Sequence, residues 1–253
     1  MYAEERQEQI AALAREAGRV DVGHLATVLD VTPETVRRDL TALERRGLLR
    51  RVHGGAIPIE RLGYEPALAA RDTVMTAEKE RIAKAAVQLL PDEGSLLIDA
   101  GTTTARFAEV LPTDRELTVV TNSLPIATSL ARRPNINLLM LGGRIRGRTM
   151  ACVDAWTVDA LKDTFVDLAF LGTNGISVER GLTTPDPAEA AAKRAMVASA
   201  RRAVLLADHT KVGSDHLIRF ADLDAIDVFV TDTGLDPELR SDLETAGLQT
   251  VLA

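Results

Sequence analysis

Two sets of residues in this sequence have the types and spacing to do chemistry. The first is cationic: Arg37, Arg38 and Arg45 lie along one stretch with Thr32, Thr35 and Thr41 among them, and Arg50, Arg51 and His53 follow. Between residues 32 and 55, six arginines (37, 38, 45, 46, 50, 51) stand against Glu34, Asp39 and Glu44, a local balance of +3 in a chain of formal net charge −7. Guanidinium groups donate bidentately to phosphate and to guanine, so a small basic footprint on an acidic body suits one defined polyanion site better than indiscriminate coating. The second set sits just after short apolar runs: Asp99-Ala100-Gly101-Thr102-Thr103-Thr104, Thr121-Asn122-Ser123, Gly142-Gly143-Arg144, Gly172-Thr173-Asn174-Gly175, Asp208-His209-Thr210-Lys211 and Thr231-Asp232. Gly101-Thr102-Thr103 opening a helix suits an anion, because glycine lets the backbone come close while free N–H groups and hydroxyls donate. A phosphate fits best. The spacing is neither G-x-G-x-x-G nor G-x-x-x-x-G-K-[ST], which disfavours a dinucleotide or a nucleoside triphosphate. Glu189 and Lys193, four residues apart, serve either a surface ion pair or a ligand, and Lys211 either holds a cation over a ligand or lies in a surface loop.

The elements that must position these residues are legible. Thr32 is a good N-cap, Pro33 is preset for the first helical position, and Gly47 supplies a left-handed stop, so a helix is expected over 32–46. Val36, Leu40 and Leu43 fall on one face, and Glu34, Arg38, Thr41 and Arg45 on the other. Two helices precede it, one from Glu4 to Ala17 ending at Gly18 and one capped by Asp21 with Val22, Leu25, Ala26 and Leu29 on its buried side. Leu48 to Ile57, with Gly54-Gly55 at its turn, reads as a β-hairpin wing. Together these give a winged helix-turn-helix over residues 1–58. A linker with a short helix spans 59–76, and Thr76 is expected to cap a helix closed by Pro91.

Beyond it lie apolar runs at 95–99, 117–121, 136–141, 166–171, 203–207, 226–230 and 249–252, separated by helical patterns. Unalternating runs of this kind mark strands buried on both faces, hence an α/β domain over 77–253 with a mostly parallel sheet. In such sheets ligands bind at the carboxyl ends of strands, where the polar residues recur.

Composition narrows the classes. At 253 residues and 46% hydrophobic content the chain can bury a sizeable core in two domains. No apolar run spans a bilayer and the N-terminus lacks signal-peptide character, so a cytoplasmic location is expected. The single Cys152 reads as a buried apolar residue, and four scattered histidines show no zinc-ligand spacing. No metal or cofactor is expected.

Arg6-x-x-x-Ile10-x-x-Leu13, Thr32-x-x-Thr35-Val36-Arg37-Arg38-Asp39-Leu40 and the Arg51-x-His53-Gly54-Gly55-Ala56 wing resemble the N-terminal signature of the DeoR-type bacterial transcriptional regulators, the DeoR/GlpR family. Thr-Val-Arg-Arg alone would also fit the GntR type, but Asp39 and the His53-Gly54-Gly55 wing favour DeoR. The resemblance makes Thr32, Thr35, Arg37, Arg38, Thr41, Arg45, Arg50, Arg51 and His53 candidate DNA contacts. Asp39, at the core edge, is expected to orient an arginine. Residues 77–232 resemble the DeoR sensor domain, similar in fold to ribose-5-phosphate isomerase, which implies a phosphorylated-sugar effector held among Asp99, Gly101, Thr102, Thr103, Asn122, Ser123, Gly143, Asn174, Glu189, Lys193, Asp208 and Lys211.

The chain departs from the family pattern at Ala151-Cys152-Val153-Asp154-Ala155-Trp156, where many relatives carry a small residue and glycine; Trp156 is expected in the core. Tyr64-Glu65-Pro66, Thr149-Met150-Ala151 and Gly181-Leu182-Thr183-Thr184-Pro185-Asp186 resemble actinobacterial fructose-operon repressors, which makes fructose 1-phosphate the first effector candidate. The expected protein is thus a sequence-specific repressor on double-stranded operator DNA, a homodimer or homotetramer. The alternative is a sugar-phosphate isomerase with a regulatory DNA-binding tail, in which Asp99, Glu189 and Lys193 would supply acid, base and enediolate stabilisation.

Overall fold

The computed structural model describes residues 3–45, 48–52, 54–58 and 65–253. It divides into two compact units, Met1–Val74 and Met75–Ala253. In the first, α1 (Ala3–Ala17) stops at Gly18, whose φ of +74° puts it in the left-handed region that glycine enters freely. A two-residue strand β1 (Val20–Asp21) leads into α2 (Val22–Val28), where Asp21 accepts from the Gly23 and His24 amides. Helix α3 (Pro33–Arg45) begins with the Thr35 amide donating to Thr32 Oγ1 at 3.2 Å, the expected cap. Val36, Leu40 and Leu43 are buried with Ile10, Ala14, Leu25 and Leu29. Strands β2 (Leu49–Val52) and β3 (Gly55–Pro58) pair antiparallel, and β1 adds to the outer side of β3, so the wing is three-stranded. Arg46, Gly47, His53 and Tyr64 fall outside the described residues. A short helix α4 (Leu68–Asp72) follows.

The second unit opens with α5 (Thr76–Val87). Thr76 does not cap it: Thr76 is its first helical residue, and the cap position is Met75 in a left-handed conformation, φ +56°, without a side-chain cap bond. The chain then runs β4 (Gly94–Ile98), α6 (Thr102–Glu109), β5 (Leu117–Thr121), α7 (Leu124–Leu130), β6 (Ile136–Met140), β7 (Arg144–Arg146), β8 (Ala151–Val153), α8 (Ala155–Lys162) and β9 (Val166–Leu171). It continues through β10 (Gly175–Ser177), β11 (Gly181–Thr184), α9 (Pro187–Ala198), β12 (Ala200–Leu206), β13 (Ile218–Ala221), β14 (Val228–Thr231), α10 (Pro237–Thr245) and β15 (Gln249–Leu252).

Seven of these strands form one all-parallel sheet in the order β15-β14-β12-β9-β4-β5-β6. Ile82, Phe107, Ile126 and Leu130 from α5–α7 pack on one face, and Leu161, Met196 and Leu243 from α8–α10 on the other. The two-sided cover is why the strand sequences do not alternate. After β4 the chain moves outward through β5 and β6, then returns to lay β9 on the opposite side of β4. The order reverses there, and that is where an open α/β sheet leaves a crevice.

Three features differ from expectation. Strands β10, β11 and β13 make a separate antiparallel sheet, and β7–β8 a hairpin, neither of which the sequence pattern announces. Trp156 is not core: 79% of it is exposed. Glu189 and Lys193 do not pair with each other, each being taken by a partner on another element.

Candidate functional site

In the N-terminal unit, the outward side of α3 carries Arg37, Arg38 and Arg45, all exposed, with Thr32 exposed at its start and Thr35 and Thr41 half-buried. Arg50 and Arg51 are exposed on β2. Asp39, on the buried side of α3, accepts from Arg6 Nε at 2.6 Å and Gln7 Nε2 at 3.0 Å, so the arginine it orients is Arg6 on α1. That contact sets the angle of α3 against α1. Wing and helix are tied as well: the Arg51 amide donates to Glu44 Oε1 at 2.9 Å, and its guanidinium to Thr41 Oγ1 at 3.3 Å. The Thr41 hydroxyl itself donates to the Arg37 carbonyl. Thr41 and Arg51 therefore tie wing to helix, whereas Arg38 and Arg45 stand exposed on α3.

In the second unit, the carboxyl ends of β4, β5 and β9 converge. Asp99, one residue past β4, is buried, accepts the Gly172 amide at 3.0 Å from the end of β9, and is ion-paired with Lys193 of α9. Lys193 Nζ also donates to the Gly172 carbonyl at 3.0 Å and lies 5.4 Å from the centre of the Phe220 ring. Thr102 and Thr103 open α6 beside Asp99 and are nearly buried. The first-turn amides of such a helix have no intrahelical acceptor and carry the positive end of its dipole. Asn122, past β5, accepts the Ala100 amide at 3.1 Å and donates to the Cys152 carbonyl at 3.1 Å, joining the β4 end to the β8 strand. Ser123 caps α7, accepting the Ile126 amide.

Glu189 accepts from Thr149 Oγ1 and from Arg146 Nη1 at 3.2 Å, while Arg146 Nε reaches Asp186 at 3.0 Å. Arg146 and Thr149 are functional candidates not chosen as site residues from the sequence; the signals that could have found them are the place of Arg146 two residues after Gly142-Gly143-Arg144 and of Thr149 at the head of the Thr149-Met150-Ala151 segment. Arg144, by contrast, is exposed and paired with Asp154.

The remaining candidates have local structural work. Gly143 has φ +146°, and a Cβ there would collide with Thr157 Oγ1 and lie 2.6 Å from the Val153 carbonyl, so close approach of the β7–β8 hairpin requires glycine. Asn174 Oδ1 accepts from Thr184 Oγ1 at 3.0 Å. Asp208 caps a single helical turn, accepting from the Thr210 amide. Lys211 on that turn is half-buried. Its neighbour His209 donates its amide to Asp232 Oδ1 at 2.9 Å, and its Nδ1 lies 2.7 Å from Oδ2. Burial would push the Asp232 carboxyl up, but the amides of His209 and Gly234 and the His209 ring outweigh it and hold it below the usual carboxylate range. Burial pushes the Cys152 thiol up, which disfavours the reactive thiolate. Among the described residues, no group of histidine, cysteine and carboxylate side chains could hold a metal, and no helix is long and apolar enough to cross a membrane.

Comparison with known proteins matches this arrangement on both units. Residues 6–61 match the DeoR-like helix-turn-helix domain, and residues 74–233 the DeoR C terminal sensor domain. The HTH-type transcriptional regulator GlpR of Haloferax volcanii is 39% identical over 251 residues, covering 99% of this chain and 98% of the relative. The glycerol-3-phosphate regulon repressor of Escherichia coli is 31% identical over 228 residues, 90% of each chain. The uncharacterized HTH-type transcriptional regulator FruR of Bacillus subtilis is 34% identical over 232 residues, 92% of each chain. Among solved structures, ribose 5-phosphate isomerase A from Methanocaldococcus jannaschii overlays 55% of this chain and 55% of its own, with 19% identity and a TM-score of 0.41. With a family model on each of its two units and relatives matched along nearly the whole chain, the protein belongs to the DeoR family of transcriptional regulators.

Proposed function

We propose that the chain is a sequence-specific repressor of a sugar-utilisation operon, acting without catalysis as a homodimer or homotetramer on double-stranded operator DNA. A phosphorylated sugar in the crevice of the second unit controls that binding. One observation carries the reading: the carboxyl edge of the parallel sheet concentrates buried polar side chains, with Asp99, Thr102, Thr103, Asn122, Ser123, Thr149, Glu189 and Lys193 all withdrawn from water. Burying such groups is costly unless something satisfies them, and in a core built for stability alone apolar residues would do better.

The two cations deepest in this edge are already committed, Lys193 to Asp99 and Arg146 to Glu189 and Asp186. The phosphate is therefore held by the amides and hydroxyls of Thr102 and Thr103, while Asp99 and Glu189 offer acceptors to sugar hydroxyls. Fructose 1-phosphate is the first candidate, and the relative named a glycerol-3-phosphate regulon repressor supports a small organic phosphate. To control DNA binding, the effector must bind two arrangements of the protein unequally.

The test is binding of the full chain to DNA from upstream of its own gene and neighbouring operons, at fixed salt, with and without a panel of sugar phosphates. Release by one sugar phosphate is expected. Specific binding that none of them alters would overturn the account of the crevice, and turnover of ribose 5-phosphate would overturn the non-catalytic reading.

A further inference from the structure

The basic segment that forms α3 and the wing contains three acids, Glu34, Asp39 and Glu44. Two of them have work inside the fold. Asp39 is buried and accepts from Arg6 and Gln7 of α1, and Glu44 accepts the Arg51 amide of β2 at 2.9 Å. Glu34 has no such work. It is exposed in the first turn of α3, and among the described residues it is met only by Arg37, whose Nη1 lies 3.4 Å from Oε2. The Glu34 side chain is 66% exposed and that of Arg37 53%, a setting in which an ion pair adds little to stability. Nor does Glu34 close a capping box, where the acid stands three residues after the N-cap. Thr35 holds that place, its amide donating to Thr32 Oγ1 at 3.2 Å and its hydroxyl lying 2.9 Å from the same atom.

The position of this carboxylate is the telling point. At about 100° per residue, Glu34 lies within about 60° of Arg37, Arg38, Thr41 and Arg45, on the side of α3 away from buried Val36, Leu40 and Leu43. It therefore stands in the middle of the outward face, at the end of the helix that helix-turn-helix proteins bring to the base edges. DNA carries one negative charge for roughly every 1.7 Å of its axis. A carboxylate at the centre of a face laid against it weakens attraction to every duplex, and it gains only where a base edge offers a donor. In the major groove that donor is the N4 amino group of cytosine. Adenine sets its amino group beside the N7 acceptor, and guanine and thymine present acceptors that a carboxylate repels.

We infer that Glu34 reads sequence: its Oε1 accepts the N4 amino group of one cytosine in the operator, while Arg37 holds Oε2 and fixes the carboxylate over that base. This reading rests on the proposed action of the chain as a sequence-specific repressor. Discrimination at that position comes from rejection as much as from attraction, because the charge that accepts from cytosine opposes the other bases and the backbone.

The test is selection from a pool of randomised duplexes by the full chain and its Glu34→Ala and Glu34→Gln variants at one salt concentration. Affinities are then measured on the selected duplex, its single-base changes and random duplex. The parent chain is expected to prefer cytosine at one position by roughly tenfold or more. Glu34→Ala is expected to lose that preference there alone, to keep the rest of the motif and to bind random duplex more tightly, with unchanged circular dichroism. Glu34→Gln is expected to turn toward adenine at the same position, since an amide accepts from N6 and donates to N7. A Glu34→Ala motif identical to the parent's at every position, or an affinity changed by one factor on all duplexes, overturns the role of Glu34 and leaves the repressor reading in place. A parent chain that selects no sequence over random duplex overturns both.

Discussion

Removing either member of the Asp99–Lys193 pair is the sharpest test of the crevice. Both side chains are almost fully buried, and each has a second partner, Gly172 N–H on Asp99 and the Gly172 carbonyl and Phe220 ring on Lys193. In Lys193→Met the methionine fills much of the space but leaves Asp99 charged and buried against a single amide. In Asp99→Ala the ammonium keeps only a carbonyl and a ring face. Each loss is expected to cost about 3–5 kcal/mol, the range for breaking a buried pair by deleting one partner. In a unit of this size each kcal/mol moves Tm by roughly 2–4 °C, so a fall of about 10 °C is expected for each single variant. Removing both leaves no orphaned charge. The double variant should therefore be at least about 2 kcal/mol more stable than the sum of the singles predicts, the coupling expected of groups in contact. Calorimetry on the full chain measures this, because the two units can melt separately and a single spectroscopic Tm would mix them. Operator binding should persist in all three proteins while release by sugar phosphate is lost. Additive costs, or a single-variant cost below about 1 kcal/mol, would refute the claim that the pair is dry and mutually dependent.

Arg38→Ala should weaken operator binding by about 1–3 kcal/mol if the guanidinium reads a base, without changing Tm; equal loss on operator and random DNA would assign it to phosphate instead. Gly143→Ala should destabilise the β7–β8 hairpin by about 2 kcal/mol or more, since its Cβ meets backbone at a φ that disfavours alanine, and faster hydrogen exchange at 144–153 would show it. Because the folded state holds the Asp232 carboxyl below its ordinary value, its contribution is present above about pH 4 and lost as pH falls through the folded pKa. Asp232→Asn should accordingly be less stable than the parent at pH 6, with the gap closing toward pH 3; a gap independent of pH would sink that account.

What the sequence determined by itself was local or periodic. Caps at Asp21 and Thr32, the buried stripe Val36-Leu40-Leu43 and the seven unalternating runs follow from hydrogen bonding within a turn and from burial on one or two faces, so the winged helix and the parallel sheet are legible in the residues alone. Three- and four-residue strands such as β7, β10 and β13 carry too few residues to show a period, and their antiparallel pairing left no mark in the pattern of residue types. The candidate site divides the same way. Its residues could be chosen because polar types recur at strand ends, but which of them meet could not. Helical spacing placed Glu189 beside Lys193, yet the fold brings Asp99 to Lys193 and Arg146 to Glu189, because side-chain pairing in a buried site is set by which strand ends converge and not by distance along the chain. Trp156 shows the same limit from the other side. Hydrophobicity argued for the core, and only the tertiary arrangement, which seats Leu161 inward and turns the first turn of α8 out at Asp154, put the indole in water.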